Sequence, residues 1–332
     1  MGGTTEPDDR HRPAGRRSRN RTSSPSHPAT THTPVLLVAS VELLDIRPGG
    51  RYIDCTTGTG GHAMAILDAS LPGGSLLGID ADSQAIEIAG KRLSPYGKSA
   101  VLVNDNFKHL EIIADRYRFR PVDGILFDLG MSSVQLGDLL RGFSFRFDAP
   151  LDMRFSPEQA MTAADIVNEL SEVDLASLLK RYGEEYRARR IARSIAASRP
   201  IHTTLQLAEA VTRVLGERGR IHPATKTFQA LRIATNDELA NLEQVLKQTI
   251  GLLAPGGRLA VISYHSLEDR LVKTFMRRES KDCICPPDIP VCTCGHFASL
   301  KLVNRKAVTA SPAEKAANPR SRSARLRVAQ RL

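Results

Sequence analysis

The chain has 332 residues, 41% of them hydrophobic and 25% charged, which suits an ordinary folded protein of about two domains. No apolar run is long enough to cross a bilayer, since the best candidate, residues 35–44, is short and carries Glu42. The N-terminus is polar and rich in arginine with no apolar signal-peptide stretch, so a cytoplasmic location is expected.

The formal net charge of +10 is unevenly placed. Residues 1–33 carry a net +3, residues 299–332 a net +8, and the body between them a net −1. Basic ends on a near-neutral body point to a polyanionic partner, most naturally nucleic acid. The Pro-, Ser-, Thr- and His-rich N-terminal tail, residues 1–31, reads as plain disorder. The C-terminal segment is the better candidate for nucleic-acid contact.

In chain order, an apolar strand over 51–56 leads into a glycine-studded turn with Gly58, Gly60 and Gly61, then a helix from His62. Strands follow at 75–80, 101–105 and 122–130, separated by amphipathic helices. Short, nearly all-apolar strands alternating with helices imply a parallel sheet covered on both faces. Between 134 and 222 the alternation stops, and four helical stretches begin near Ser156-Pro157, at Ser171, at Glu184 and at Thr204. The sheet pattern resumes with one long helix from about 223 to 253, a strand at 258–263, a helix over 266–279, and strands near 299–304 and 324–329. The expected fold is α/β: a doubly wound, Rossmann-like sheet with an inserted all-helical subdomain. Its domains are 32–133 and 223–332 for the sheet domain and 134–222 for the insert.

The turn after the first strand lacks the G-x-G-x-x-G spacing of dinucleotide enzymes. The acid Asp54 stands where a diphosphate would be repelled, an arrangement suited to S-adenosylmethionine (SAM), which carries an ammonium and a sulfonium but no phosphate. Thr56 departs from that pattern, which often has glycine there. Asp80, ending the second strand, is placed to accept from ribose hydroxyls, although it could equally cap the next helix, a task open also to Asp82. Asp128 ends the fourth strand and is expected in the same cleft.

The segments "HTPVLL" (32–37), "GTGGH" (58–62), "FDLGMSSVQL" (127–136), "RGFSF" (141–145), "LDMR" (151–154), "YGEE" (182–185), "HPATKTFQALRIATNDEL" (222–239) and "SYHSLEDR" (263–270) occur in this order. Together they closely resemble the RsmH (MraW) family of bacterial 16S rRNA methyltransferases, over nearly everything but the N-terminal tail. The resemblance implies SAM-dependent methylation of the exocyclic N4 of one cytidine, position 1402 of 16S rRNA, with the small ribosomal subunit as partner. It implies SAM contacts at Gly60, Gly61, His62, Asp80, Phe107, Asp128 and Gln135; Asp128, from its place at the end of the fourth strand, is also the catalytic candidate. Two other readings are a SAM-binding assembly factor without turnover and a DNA amino-methyltransferase. The Asn/Asp-Pro-Pro-aromatic turn expected of the latter is missing. For base stacking, Phe143 and Phe145 are candidates against a plain core role, with Arg141 and Arg146 for phosphate. Arg187, Arg189, Arg190 and Arg193 group on one helix side. His265 should face the cleft.

Four of the five cysteines, Cys283, Cys285, Cys292 and Cys294, lie in "CICPPDIPVCTC". In a reducing compartment they read as a metal site or inert thiols rather than disulfides. Their C-x-C pairs are tighter than the usual zinc knuckle, though two such pairs could still meet a tetrahedral ion. No metal ligand is assigned from sequence alone.

Overall fold

Residues that alternate between two buried faces make the sheet. The computed structural model describes residues 1–3, 34–132, 135, 138, 140–216, 222–286, 288 and 291–332. The expected tail therefore lies outside the described residues, Met1–Gly3 apart, while His32–Leu332 is one compact unit. Its sheet contains β1 (Arg51–Asp54), β2 (Ser75–Asp80), β3 (Ala100–Asn104), β4 (Val122–Asp128), β5 (Leu253–Ser263), β6 (Leu300–Leu302) and β7 (Arg325–Arg331). The spatial order is β3-β2-β1-β4-β5-β7-β6. The first five strands are parallel, and β7 runs antiparallel to β5 and β6.

Successive strand residues serve opposite cores, as a period of two requires. On one face Ile53, Leu77, Ile125, Phe127, Leu259 and Val261 pack with Leu242, Val245 and Leu246. On the other, Tyr52, Leu76, Leu126, Ala260 and Ile262 pack with Leu44, Ile66 and Leu67. The covering helices include α1 (Leu37–Leu44), α2 (Gly61–Ala69), α3 (Ser83–Leu93) and α4 (Leu110–Arg116). α1 is formed by the very residues whose apolar run is too short for a membrane. Among the described residues no helix is long and apolar enough to cross one.

Between β4 and β5 the described chain is helical: α5 (Ala163–Glu169), α6 (Glu172–Gly183), α7 (Ala188–Ala196), α8 (Thr204–Leu215) and α9 (Thr225–Asn236). These helices share a separate core that includes Ile166, Leu175, Ile191, Leu207 and Leu231. Ser171 caps α6 by accepting from the Asp174 N–H, as expected.

Three expected helix limits are wrong: the start expected at Glu184 is instead the left-handed C-cap of α6, and α7 begins at Ala188. The Ser156-Pro157 start fails, and α5 begins instead behind a Thr162–Asp165 capping box. The carbonyls of Pro157 and Gln159, which a helix would use, accept from the Arg154 guanidinium. The long helix expected to run to about 253 is two helices, α9 and α10 (Glu238–Leu252), broken at Asp237, whose φ is +49°. Asn236 forces the break. Its amide donates to the Met153 and Arg232 carbonyls, its Oδ1 accepts from Phe155 N–H, and its own carbonyl accepts from the Asn241 amide. Short polar residues tolerate the left-handed conformation that follows.

Candidate active site

The carboxyl ends of β1, β2 and β4 open onto a cavity of about 310 Å³. After β1 the chain turns sharply into α2. Gly60 takes φ +83°, and a Cβ on Gly61 would lie 2.4 Å from Pro34 Cγ, so the absence of a side chain lets Pro34 close one wall of the cavity. Thr56, the residue that departs from glycine, accepts a 2.6 Å hydrogen bond at its hydroxyl from the Asp128 N–H. It thereby ties the turn to the end of β4.

Asp54 does not face the cavity. It is fully buried beneath the turn and accepts from the Thr56 N–H at 3.1 Å. Burial pushes its carboxyl up to about 8, so at neutral pH it is largely protonated. The expected charge repulsion of a diphosphate by Asp54 is thus not what this residue supplies.

Asp80 lines the cavity, accepting from Gly58 N–H at 2.7 Å and from Asp82 N–H at 2.9 Å. Burial raises its carboxyl to about 6. Its alternative role falls away, because Asp82 caps α3 by accepting from the Gln84 N–H.

Phe107 opens a short 3-10 turn after β3 and sets its ring edge-to-face against Phe127, with centroids 5.8 Å apart. Gln135 is buried and its Oε1 accepts from the Ser132 N–H at 2.9 Å. Both line the same cavity, as do Gly61, His62 and Asp128. Gly60 does not; it is the left-handed hinge behind the wall.

At the centre stands Asp128. Its Oδ1 accepts from the Tyr264 phenol at 2.7 Å, and its Oδ2 lies 3.4 Å from His62 Nε2. Burial pushes this carboxyl up to about 7, against the Tyr264 hydrogen bond that pulls it down. His62 is driven down to about 4 by burial and is neutral. Neither of its ring nitrogens, both buried, has a hydrogen-bond partner among the described residues.

Tyr264, Arg232, Glu238, Glu268 and Arg320 also line the cavity and were not singled out from the sequence. Arg232 grips Glu238 through two bonds of 2.7 and 2.8 Å. The motif "SYHSLEDR" held a signal, but it was assigned to His265. That residue instead caps α11 (Ser266–Arg278) in a capping box with Glu268 and does not line the cavity. Phe143 and Phe145 belong to the helical core, stacked on Phe155 and His222. In that segment it is Phe147 that is exposed. Arg141 is a strut, bonded to Asp82 and to the Arg154 and Phe155 carbonyls. Of the arginine group, Arg189 and Arg190 are exposed and Arg193 pairs with Glu172 at 3.3 Å.

A sheet of this order with a cavity at its carboxyl ends is the architecture of the Rossmann-like, SAM-dependent methyltransferases. The chain belongs to the MraW methylase family, whose profile matches residues 29–332. It is 58% identical over 302 residues to the ribosomal RNA small subunit methyltransferase H of Dehalococcoides mccartyi (strain ATCC BAA-2100 / JCM 16839 / KCTC 5957 / BAV1), covering 91% of this chain and 86% of that one. Identity to the protein of the same name from Thermomicrobium roseum is 55% over 308 residues, covering 92% and 94%. Among solved structures, an rRNA methylase from Streptococcus thermophilus aligns over 89% of this chain and 93% of its own at 12% identity and a TM-score of 0.38. The protein is accordingly a methyltransferase that uses SAM. The cavity fits that donor: it offers the carboxylate of Asp80, the flat apolar face of Phe107 and the ring nitrogens of His62, which have no hydrogen-bond partner among the described residues.

Proposed function

We propose that the protein methylates the exocyclic N4 of a cytidine, position 1402, in the 16S rRNA of the small ribosomal subunit. The observation that carries this reading is Asp128, an ionisable acceptor at the cavity wall with one oxygen held by Tyr264 and the other turned to neutral His62.

Cytosine N4 is a weak nucleophile because its lone pair is delocalised into the ring. SAM supplies an electrophilic methyl group on a positively charged sulfur. The chain must aim the amino group and accept its N–H protons as the nitrogen becomes pyramidal. Asp128 Oδ2 is the acceptor in this reading. Positive charge developing on N4 is stabilised by that carboxylate and relieved when a proton passes to it. Tyr264 fixes the carboxylate and favours its ionised form. Asp80 holds the ribose hydroxyls of the donor, Phe107 packs on its adenine, and Gly61, His62 and Gln135 line the remainder. Residues 134–222 recognise the substrate, with exposed Arg189 and Arg190 facing phosphate and the basic C-terminal segment adding to RNA contact. Residues 32–133 and 223–332 form the catalytic domain, except that α9 packs in the core of the helical insert.

Purified protein incubated with small subunits from a strain lacking this gene should restore N4-methylcytidine at that one position and release S-adenosylhomocysteine. SAM binding with no release of that product would favour the assembly-factor reading. Methylation at another nucleotide would replace the assigned target.

A further inference from the structure

α11 is joined to β6 by a loop, residues 279–299, that carries four of the five cysteines. The loop lies at the end of the sheet away from the cavity. β6 begins at Leu300 opposite Arg331, and Gln330 pairs with Arg258. The cavity residue Tyr264 follows the other end of β5. Among its described residues the loop has little apolar anchorage of its own, since Val291 is 70% and Phe297 78% exposed. A segment that buries so little needs another cross-link to hold one conformation.

The cysteines supply one. The Sγ atoms of Cys283, Cys285, Cys292 and Cys294 all lie within 4.8 Å of one another. The Cys292–Cys294 separation is 3.5 Å and the Cys283–Cys294 separation 3.9 Å. Four sulfurs on a tetrahedron around zinc, each ~2.3 Å from the ion, are spaced about 3.8 Å apart. An iron–sulfur cluster, with several metal atoms inside the thiolate shell, spreads its cysteines farther. The backbone also turns toward the sulfurs: Ile284 N–H points at Cys294 Sγ at 3.5 Å and Cys285 N–H at Cys283 Sγ at 3.4 Å. Such N–H···S contacts orient and stabilise thiolate ligands. His296 is not needed as a ligand, its Nε2 lying 3.2 Å from the Arg278 carbonyl.

We propose that Cys283, Cys285, Cys292 and Cys294 bind one zinc ion as a closed tetrathiolate site that fixes the loop between α11 and β6. Each thiol gives up its proton on binding, and no position is left open for water, so the ion is structural. The site stands apart from the methyl-transfer reading and does not depend on it.

Full-length, untagged protein purified reduced and without chelator should contain about one zinc per chain. The four loop thiols should resist a thiol reagent until a chelator is added. Cys285→Ser combined with Cys294→Ser should lose the zinc while SAM affinity stays within roughly twofold, because the two sites lie at opposite ends of the sheet. Should that variant not fold, wild-type protein refilled with cobalt decides the matter: tetrahedral thiolate absorption is expected, and the pale spectrum of hydrated cobalt overturns the site. Less than roughly a tenth of an equivalent of zinc in reduced, folded protein overturns it too. So does an intact mass short of the hydrogens lost in forming disulfides.

Discussion

The phenol of Tyr264 donates a 2.7 Å hydrogen bond to Asp128 Oδ1, joining the residue after β5 to the last residue of β4. These are neighbouring parallel strands, paired from Gly124 with Arg258 to Asp128 with Ile262. The contact places a neutral donor on one oxygen of the carboxylate, while the other lies 3.4 Å from His62 Nε2.

Asp128→Asn keeps the shape and one acceptor oxygen but removes the charge. We expect the variant to fold and bind SAM, with single-turnover methylation of small subunits slowed by roughly 10²-fold or more, the range for a lost electrostatic stabiliser. A wild-type single-turnover rate would reduce Asp128 to the end of its strand.

With its carboxyl pushed up to about 7, Asp128 gains charge across the neutral range. The acid limb of kcat/KM should therefore rise with pH through about 7. Tyr264→Phe removes the hydrogen bond that favours the ionised form, so its limb should move to higher pH. Activity below neutrality should suffer more than activity at alkaline pH. Superimposable pH profiles for the two proteins would dissociate Tyr264 from the titration.

Asp80→Ala removes the acceptor proposed for the ribose hydroxyls. Charge-assisted hydrogen bonds contribute about 1.5–3 kcal/mol each, so SAM affinity by calorimetry should fall roughly tenfold or more. The same substitution frees Gly58 N–H. Circular dichroism should accompany the titration to establish that the variant is folded. Unchanged affinity in folded protein would remove Asp80 from the donor site.

Asp54 gives a stability prediction with a definite sign. Its folded carboxyl is pushed up to about 8, whereas in the unfolded chain it titrates near the ordinary value of 3.8. Between those values the folded state binds more protons, so stability falls as pH rises through this window. Asp54→Asn cannot ionise and still accepts from Thr56 N–H. Urea unfolding at a series of pH values should show a flatter dependence for the variant across that window. A dependence as steep as wild type would place the buried proton elsewhere.

The strands were legible because they are short apolar runs ended by acids or glycines, and the two faces of the sheet leave little else for such runs to do. Part of the cavity lining was legible for a related reason: Asp80 and Asp128 end strands, Phe107 follows one closely, and Gly61 and His62 open the helix after the first strand's turn. The break at Asp237 was not, because it is made by Asn236 reaching to Met153 and Phe155, far away in sequence. Tyr264 and Arg320 escaped for a similar reason. A tyrosine beside a histidine attracts no attention until the histidine is seen capping α11, and Arg320 reaches the cavity only because the chain returns to pair β7 with β5. Phe143 and Phe145 looked like a stacking platform, yet packing against Phe155 and His222 claims both rings.

The placement of β7 bears on how the enzyme comes into being. This strand, Arg325–Arg331, is wedged between β5 and β6 rather than added at a margin, and Arg320 just before it completes the cavity wall. During synthesis the glycine turn, Asp80 and Asp128 all leave the ribosome long before the segment that closes the sheet over them. A nascent chain can thus carry Gly61, Asp80 and Asp128 and still lack Arg320, which completes the cavity wall. The finished sheet waits on a strand that is encoded after β5 and β6, and without β7 those two strands lack their shared partner.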